Sequence, residues 1–474
     1  QSEFVYERVL DSASRQIISV LRHSSEAHAT SLAQLATQLQ ALRKRLDGAG
    51  ELLNDLKDQD LEEYLFTYRL DAATSLRHER HVTSGGSVHS VALTLSYVPQ
   101  SFSGLDDIAA LMEYLHTQRK VIFEAGPGLG KTMAMRQVFI RALSGRSAET
   151  HIPIYIDFHD QDSFPKLEHV PEATNRWLPP GPPAWVDRII RDGRGLVLLD
   201  NIEDILGTSE LLVRNQADFD TFISDVATDA PVLIAIRQGT LSSEWAAQHD
   251  FRVIELQPPG AAEALEQISL WHKAIASQCE IESEALRVLS RGQELYDAVC
   301  LMSDLLSLSL NPLICSTMCA SFLDSSLRLP EDWISLVDDT FARLADRDCR
   351  ASDPVLCDTA RIRDIQETVA GWAVRNDGPF DRQHVSDGLR DLVAGWDLRT
   401  DIRNVTERIL SRTSLLSLGP AGVSFALDVM RDHLAARDLV ARGNINYLVE
   451  EARRLSKPRL AVAAAGRAHA GRDL

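Results

Sequence analysis

The chain has 474 residues, of which 45% are hydrophobic and 25% charged. This length predicts about three domains, and the composition is typical of a globular protein. The net charge of −19 and the lack of a long basic run argue against broad nucleic-acid binding, which needs a positive surface. No apolar run reaches the roughly 18 residues of a transmembrane helix. We therefore expect a cytoplasmic protein, and the start at Gln1, with neither an initiator methionine nor a signal peptide, suggests a piece of a longer one.

Residues 1–82 are predicted to form an N-terminal helical region, because apolar residues recur there at spacings of three and four. They are Ile18, Leu21, Leu32, Leu35, Leu39, Leu42, Leu46, Leu53 and Leu56. The pattern favours a helical hairpin packed on its own chain, and an oligomerising coiled coil is the alternative. Residues 83–103 are predicted to be a linker, with a flexible joint at 83–87 and a short strand at 91–97.

From residue 104 to residue 258, short apolar strands alternate with helices. The predicted strands are 121–123, 152–158, 196–199, 232–236 and 253–256, and the helices between them include 131–144, 183–193 and 217–228. Short strands of this kind predict a parallel sheet with helices on both faces. The expected fold class is therefore an α/β domain, which Pro258-Pro259-Gly260 ends.

The remainder of the chain is predicted to be helical, with one exception. Residues 414–418 and 423–425, separated by Gly419-Pro420-Ala421-Gly422, predict a β-hairpin or wing followed by a helix. All six cysteines lie in this half, and their spacing favours a reducing compartment over a disulfide framework. Cys315 and Cys319 are interpreted as two small core residues on a helix, with a shared metal ion as the alternative.

One segment carries a phosphate-binding pattern, because it follows a predicted strand and opens a predicted helix. It is Ala125-Gly126-Pro127-Gly128-Leu129-Gly130-Lys131-Thr132, with Met133 next. Glycines let backbone N–H groups wrap phosphates, and the helix N-terminus adds positive potential. Lys131 is predicted to reach the β- and γ-phosphates, and the Thr132 hydroxyl to ligate Mg²⁺. The segment therefore predicts a P-loop that binds a nucleoside triphosphate with Mg²⁺, and the expected ligand is ATP or its hydrolysis product ADP.

A second motif places carboxylates where such a site needs them. Four apolar residues end in Asp200, which is predicted to complete the Mg²⁺ ligands. Glu203 and Asp204 follow on the next turn, and one of them is predicted to orient or deprotonate the attacking water. The alternative is an aspartate that ends a core strand, with acids capping the next helix. The next strand ends in Arg237, which is predicted to contact the γ-phosphate; a plain surface arginine is the alternative.

Taken together, these motifs resemble the NACHT branch of the STAND signalling NTPases, over about residues 90–440. The resemblance continues through 234–237, 251–256, 329–336 and 425–437, and Asn311-Pro312-Leu313 resembles the family's proline motif. It implies that Pro312 packs beside the adenine. It further implies a NACHT P-loop domain at 104–258, a small helical domain at 259–328, a winged-helix domain at 329–441 and the start of a C-terminal sensor or repeat region at 442–474.

The sequence departs from the family pattern at three places. The paired acids usually run Asp-Glu, so Glu203 is one residue early and Asp204 holds the position of the presumed base. The small residue after the metal aspartate is Asn201. The family's winged-helix histidine, which contacts the β-phosphate in inactive forms, falls on Leu427, and His433 lies six residues further along.

The resemblance implies a slowly hydrolysing ATP switch. Bound diphosphate keeps the domains closed, an unidentified ligand such as a protein opens them, and triphosphate then favours a homo-oligomer in innate immunity or bacterial anti-phage defence. A switch of this kind needs several kcal/mol of differential affinity between its states. Two alternatives remain: a nucleotide-bound scaffold without significant hydrolysis, and a general P-loop ATPase outside signalling.

Overall fold

The computed structural model describes the chain in segments. They are residues 60–69, 78–82, 88–92, 98–144, 151–159, 161, 163–170, 181–182, 184–206, 209–227, 229–349, 356–375, 382–395, 405–406, 409, 413, 415–419 and 422–441. The chain divides into two units, Gln1–Phe66 and Thr67–Leu474. Of the first unit, residues 60–66 are described and are helical. The apolar stripe at 18–56, the joint at 83–87 and the C-terminal region at 442–474 lie outside the described residues.

The first strands of the second unit form a hairpin. Strand β1 (His78–Val82) pairs with β2 (Val88–Ala92) in an antiparallel register that sets His81 opposite His89. The prediction was wrong here in two respects: the strand begins earlier than residue 91, and its partner lies in the stretch assigned to helix. A lone strand leaves its backbone groups unpaired, so a second strand is needed to satisfy them.

A five-stranded sheet forms the centre of the α/β part. Its strands are β3 (Lys120–Ala125), β4 (Ile152–Asp157), β5 (Gly195–Asp200), β6 (Val232–Arg237) and β7 (Arg252–Glu255). The order is β4-β5-β6-β3-β7, and every neighbouring pair is parallel. All residues of β5 are buried, as are all but the last of β4 and β6, so both faces of the sheet are covered. The predicted parallel sheet is confirmed.

Helix α1 (Ile108–Gln118) leads into β3, and further helices connect the strands of the sheet, because parallel neighbours need a crossover. They are α2 (Lys131–Ser144), α3 (Trp185–Arg191), α4 (Glu203–Leu206), α5 (Ser209–Ala227) and α6 (Ser243–Gln248). Helix α2 has the bounds that the sequence predicted, whereas α5 begins before residue 217. Since all five strands run the same way, the loops that follow them meet at one edge, which we call the carboxyl edge.

The chain is mainly helical from residue 261 onward. The elements are α7 (Ala261–Ala276), α8 (Glu282–Leu301), α9 (Ser303–Ser309), α10 (Pro312–Asp324), α11 (Trp333–Asp348), α12 (Thr359–Arg375), α13 (Arg382–Ala394), β8 (Leu416–Gly419), β9 (Gly422–Phe425) and α14 (Asp428–Ala441). Strands β8 and β9 pair in antiparallel register, so the predicted hairpin and the helix after it are confirmed.

Apolar side chains from α7 to α11 and from α14 share one core. Cys315 and Cys319 are buried in it, as the core interpretation predicted, and burial raises the pKa of the Cys319 thiol well above its usual range. Among the described helices, none is by itself long and apolar enough to cross a membrane; only the pair α9 and α10, bent by 118°, meets that length and composition jointly.

Candidate nucleotide site

The P-loop joins β3 to α2 and depends on two glycines. Gly128 and Gly130 have φ angles of +75° and +94°, in the left-handed region that favours glycine. A Cβ atom at Gly128 would collide with the side chain of Asn311, and one at Gly130 would lie 2.5 Å from Nε2 of Gln100. A side chain at either position would therefore strain the backbone and require the neighbouring amide to move. Lys131, Thr132 and Met133 form the first turn of α2, as predicted.

Two cations and one carboxylate meet at the carboxyl edge. The Lys131 Nζ atom lies 3.9 Å from Oε1 of Glu203, and Nε of Arg237 lies 3.3 Å from the same oxygen. Arg237 is there because β6 is the direct neighbour of β3, with Ala125 paired to Arg237. Burial lowers the pKa of Lys131, Glu203 opposes that shift, and Arg237 adds to it. The structure thus gathers the positive charge that an anionic ligand needs.

Asp200 ends β5 and is fully buried. Its Oδ2 accepts a hydrogen bond from the Tyr155 hydroxyl at 2.7 Å, and its Oδ1 accepts one from the Asn201 N–H at 3.0 Å. Burial, together with the charge of Asp157, raises the pKa of Asp200 to about 6, although hydrogen bonds from Tyr155 and Thr132 oppose the rise. The Asp200 carboxylate and the Thr132 hydroxyl that hydrogen-bonds to it offer only oxygen atoms as metal ligands, which fits Mg²⁺.

The turn after Asp200 gives the two acids different directions. Asn201 has a φ of +58°, which asparagine tolerates better than most residues, and its Nδ2 donates to Oδ1 of Asp157 at 2.8 Å. Beyond the turn, Glu203 points to Lys131 and Arg237, whereas Asp204 lies 3.0 Å from Nδ1 of His159.

Two neutral amides contact the carbonyl groups of the P-loop. Asn311 caps α10, and its Nδ2 donates to the Pro127 carbonyl at 2.9 Å. The Leu313 N–H donates to the Gly128 carbonyl at 3.1 Å. Pro312 is the first residue of α10, so the proline motif starts a helix whose N-terminus lies directly against the P-loop. In the segment that precedes α1, Gln100 is 8% exposed and its Nε2 donates to the Leu129 carbonyl at 2.6 Å.

Arg237 also reaches the region around the β8–β9 hairpin. Its Nη1 donates to the Thr413 carbonyl at 3.0 Å, and Thr413 is buried just before β8. Leu427 is half-buried beside the helical core. His433 lies inside that core, with its ring centroid 5.2 Å from that of Trp333 and its Nε2 3.6 Å from Oδ2 of Asp304.

The structure therefore brings most of the predicted site residues to one place. Sequence reasoning missed Tyr155, Asp157, His159, Gln100 and Thr413. Asp157 ends a correctly predicted strand and His159 lies just past it, whereas Tyr155 lies within that strand. Because parallel strands end at the same edge, Asp157 and His159 could have been found by asking which polar residues end or follow each strand. Gln100 and Thr413 carry no such signal.

The sheet, the glycine-rich loop between β3 and α2, and Asp200 at the end of β5 together are the architecture of a P-loop NTPase. No protein-family profile matches the chain, and no curated protein matches its sequence.

Several solved structures are distantly similar. A RuvB variant from Thermotoga maritima has a TM-score of 0.28 and 14% identity, over 67% of this chain and 90% of that one. The Walker-type ATPase PABY2304 of Pyrococcus abyssi has a TM-score of 0.35 and 13% identity, over 69% and 94%. C. elegans PCH-2 has a TM-score of 0.26 and 14% identity, over 45% of this chain and 63% of that one, which is less than two thirds of its length. Similarities this low carry no functional argument.

Proposed function

We propose that this chain binds ATP and ADP with Mg²⁺ at the carboxyl edge. The observation that carries the proposal is the convergence of Lys131 and Arg237 on one buried position beside the Asp200–Thr132 pair. Lys131 and the N-terminus of α2 would hold the phosphates, and Thr132 and Asp200 would hold the metal ion. Bound Mg²⁺ would neutralise phosphate charge and polarise the terminal phosphate.

Slow hydrolysis is the reaction that these residues can support. A base beside the terminal phosphate must take a proton from the attacking water, and Glu203 and Asp204 are the two carboxylates at hand. Both side chains are 6% exposed, so the low-polarity surroundings strengthen their interactions with nearby charges.

We further propose a switch of the NACHT and STAND type, whose oligomeric state follows the nucleotide. Arg237 supports this, because one guanidinium contacts both the acid at the phosphate position and the Thr413 carbonyl beside the β8–β9 hairpin. A γ-phosphate that draws Arg237 to itself weakens the Thr413 contact, so triphosphate and diphosphate would favour different arrangements. A role in innate immunity or anti-phage defence rests on the family resemblance.

The test uses the purified chain. The nucleotide that co-purifies is identified by chromatography after denaturation, and Mg²⁺-dependent phosphate release is measured with ATP and with GTP. Light scattering then gives the molar mass with ADP and with a non-hydrolysable ATP analogue. We expect ATP or ADP to be present and the mass to rise with the analogue. An equal mass in both states would refute the switch, and failure to bind either nucleotide would refute the site.

A nucleotide-bound scaffold without turnover is the second candidate. It is favoured by the engagement of both acids, since Glu203 is paired with two cations and Asp204 with His159. Single-turnover measurements with excess protein distinguish the two functions: a scaffold retains intact triphosphate over hours, whereas a slow ATPase converts it to diphosphate.

A further inference from the structure

Glu203 and Asp204 are adjacent in sequence, and both are almost fully buried at the start of α4. Two buried carboxylates repel one another, so each needs a partner of its own to remain charged. In the structure, Glu203 and Asp204 contact different partners, which are two cations for Glu203 and a histidine for Asp204.

Glu203 is held by charge alone. Its Oε1 lies within 3.9 Å of Lys131 and 3.3 Å of Arg237, while its Oε2 is buried and accepts no hydrogen bond from the described residues. A carboxylate bound in this way has the same donors that a phosphate oxygen would use. Glu203 therefore lies between the two cations, where a phosphate would also lie, and directed hydrogen bonds from the described residues do not hold its side chain there.

Asp204 is held by directed hydrogen bonds. Nδ1 of His159 lies 3.0 Å from Oδ2 of Asp204, and it donates to that oxygen when Asp204 is ionised, because a carboxylate only accepts. The backbone N–H of His159 donates in turn to Oδ1 of Asp157 at 2.9 Å, and Asp157 also holds Asn201. The turn that carries both acids is thus fastened at two points to the end of β4, which fixes the direction of Asp204.

We propose that the two acids have separate tasks set by these partners; this rests on the proposed nucleotide site. Glu203 is a counter-anion that neutralises Lys131 and Arg237 and gives way to the phosphates. Asp204 is the base: it takes a proton from water while the water oxygen bonds to the γ-phosphorus. The bond from that phosphorus to the β–γ bridging oxygen breaks, and its electron pair leaves with ADP. His159 is a positioning residue that acts through Asp204.

A matched pair of nearly isosteric variants tests the division. Glu203→Gln removes a competing charge, so we expect it to bind the Mg²⁺ complexes of ADP and an ATP analogue about tenfold more tightly than the unaltered chain. Asp204→Asn should bind them within about threefold of the unaltered chain while its turnover falls about 100-fold. Calorimetry and phosphate release measure the two quantities. Weaker binding by Glu203→Gln, or a larger loss of turnover in it than in Asp204→Asn, overturns the proposal.

Two substitutions at His159 test its positioning role. Asparagine keeps an N–H donor close to the place of Nδ1 but cannot accept a proton at neutral pH, whereas alanine has no donor. We expect His159→Ala to lower turnover about tenfold at unchanged nucleotide affinity, and His159→Asn to restore most of the loss. Equal losses in both variants overturn the positioning role. Nucleotide binding by Lys131→Ala at the level of the unaltered chain marks a different failure, that of the nucleotide site itself.

Discussion

Two kinds of contact surround the P-loop, and they differ in charge. One set consists of ionic groups at the carboxyl edge, centred on Lys131, Glu203 and Arg237. The other consists of neutral amides, Asn311 and Gln100, which donate to carbonyl groups of the loop. Ionic groups suit a phosphate ligand, whereas a neutral amide holds the backbone without adding a charge that competes with that ligand. Function and loop shape are therefore assigned to separate residues.

The largest effect is expected from Lys131→Ala, which removes the centre of the ionic set. The phosphates lose their nearest cation, so nucleotide affinity should fall about 1,000-fold by calorimetry. Lys120→Ala is the matched control, since Lys120 stands at the other end of β3 and its Nζ donates to the His249 carbonyl at 3.2 Å. Comparable losses in the two variants would show that the effect comes from general damage to the strand.

Asp200→Asn is expected to separate activity from stability. Turnover should fall about 100-fold because the metal ligand loses its charge. Because the folded-state pKa of about 6 lies above the ordinary 3.8, the buried carboxylate destabilises the ligand-free protein, increasingly as the pH rises from about 4 to about 6, and constantly above that. The variant should therefore melt at a higher temperature than the unaltered chain at pH 7.5 without Mg²⁺, and at a similar one near pH 4. A lower melting temperature at pH 7.5 would contradict this account.

Variants at Asn311 test the role of the neutral amides that contact the P-loop. Asn311→Asp keeps the oxygen that caps α10 but has no N–H to donate to the Pro127 carbonyl. We expect nucleotide affinity to fall about tenfold and the melting temperature to fall as well, because a buried carboxylate oxygen then faces the Pro127 carbonyl oxygen with no donor between them. Asn311→Ala removes both the amide and the cap without adding a charge, and its nucleotide affinity should fall by a similar factor. If both variants bind nucleotide normally, the amide contact has no influence on the site.

The smallest effect is expected from Arg237→Ala. The guanidinium is proposed to contact the γ-phosphate, so affinity for an ATP analogue should fall about fivefold and affinity for ADP less than twofold. Calorimetry with both nucleotides measures the difference. Arg252→Ala on β7, where the side chain is exposed, serves as the control. Equal losses for the two nucleotides in Arg237→Ala would refute its sensing role.

The proposed boundary between the small helical domain and the winged-helix domain remains a prediction, because described helices on both sides of it share one core. The boundary of the sensor region lies at the edge of the described residues and also remains a prediction. One apolar core joins α7 to α11 with α14, and a second joins parts of α11 to α13 with β8 and β9. Packing between helices depends on which faces meet, and a helical periodicity states only that a face exists. The hairpin of β8 and β9 was predictable because its turn residues stand between two short apolar runs.

The sequence by itself determined the parallel sheet and the places of Lys131, Asp200 and Arg237 beside the ends of its strands. Runs of buried residues such as those in β5 have one stable environment, and Lys131, Asp200 and Arg237 each stand at a fixed step from the end of such a run. Only the tertiary structure decided that Glu203 faces the cations and Asp204 faces His159, and that Asn311 reaches the P-loop from 184 residues away in the chain. Those contacts depend on the left-handed turn at Asn201 and on how α10 packs, which are set by distant parts of the chain.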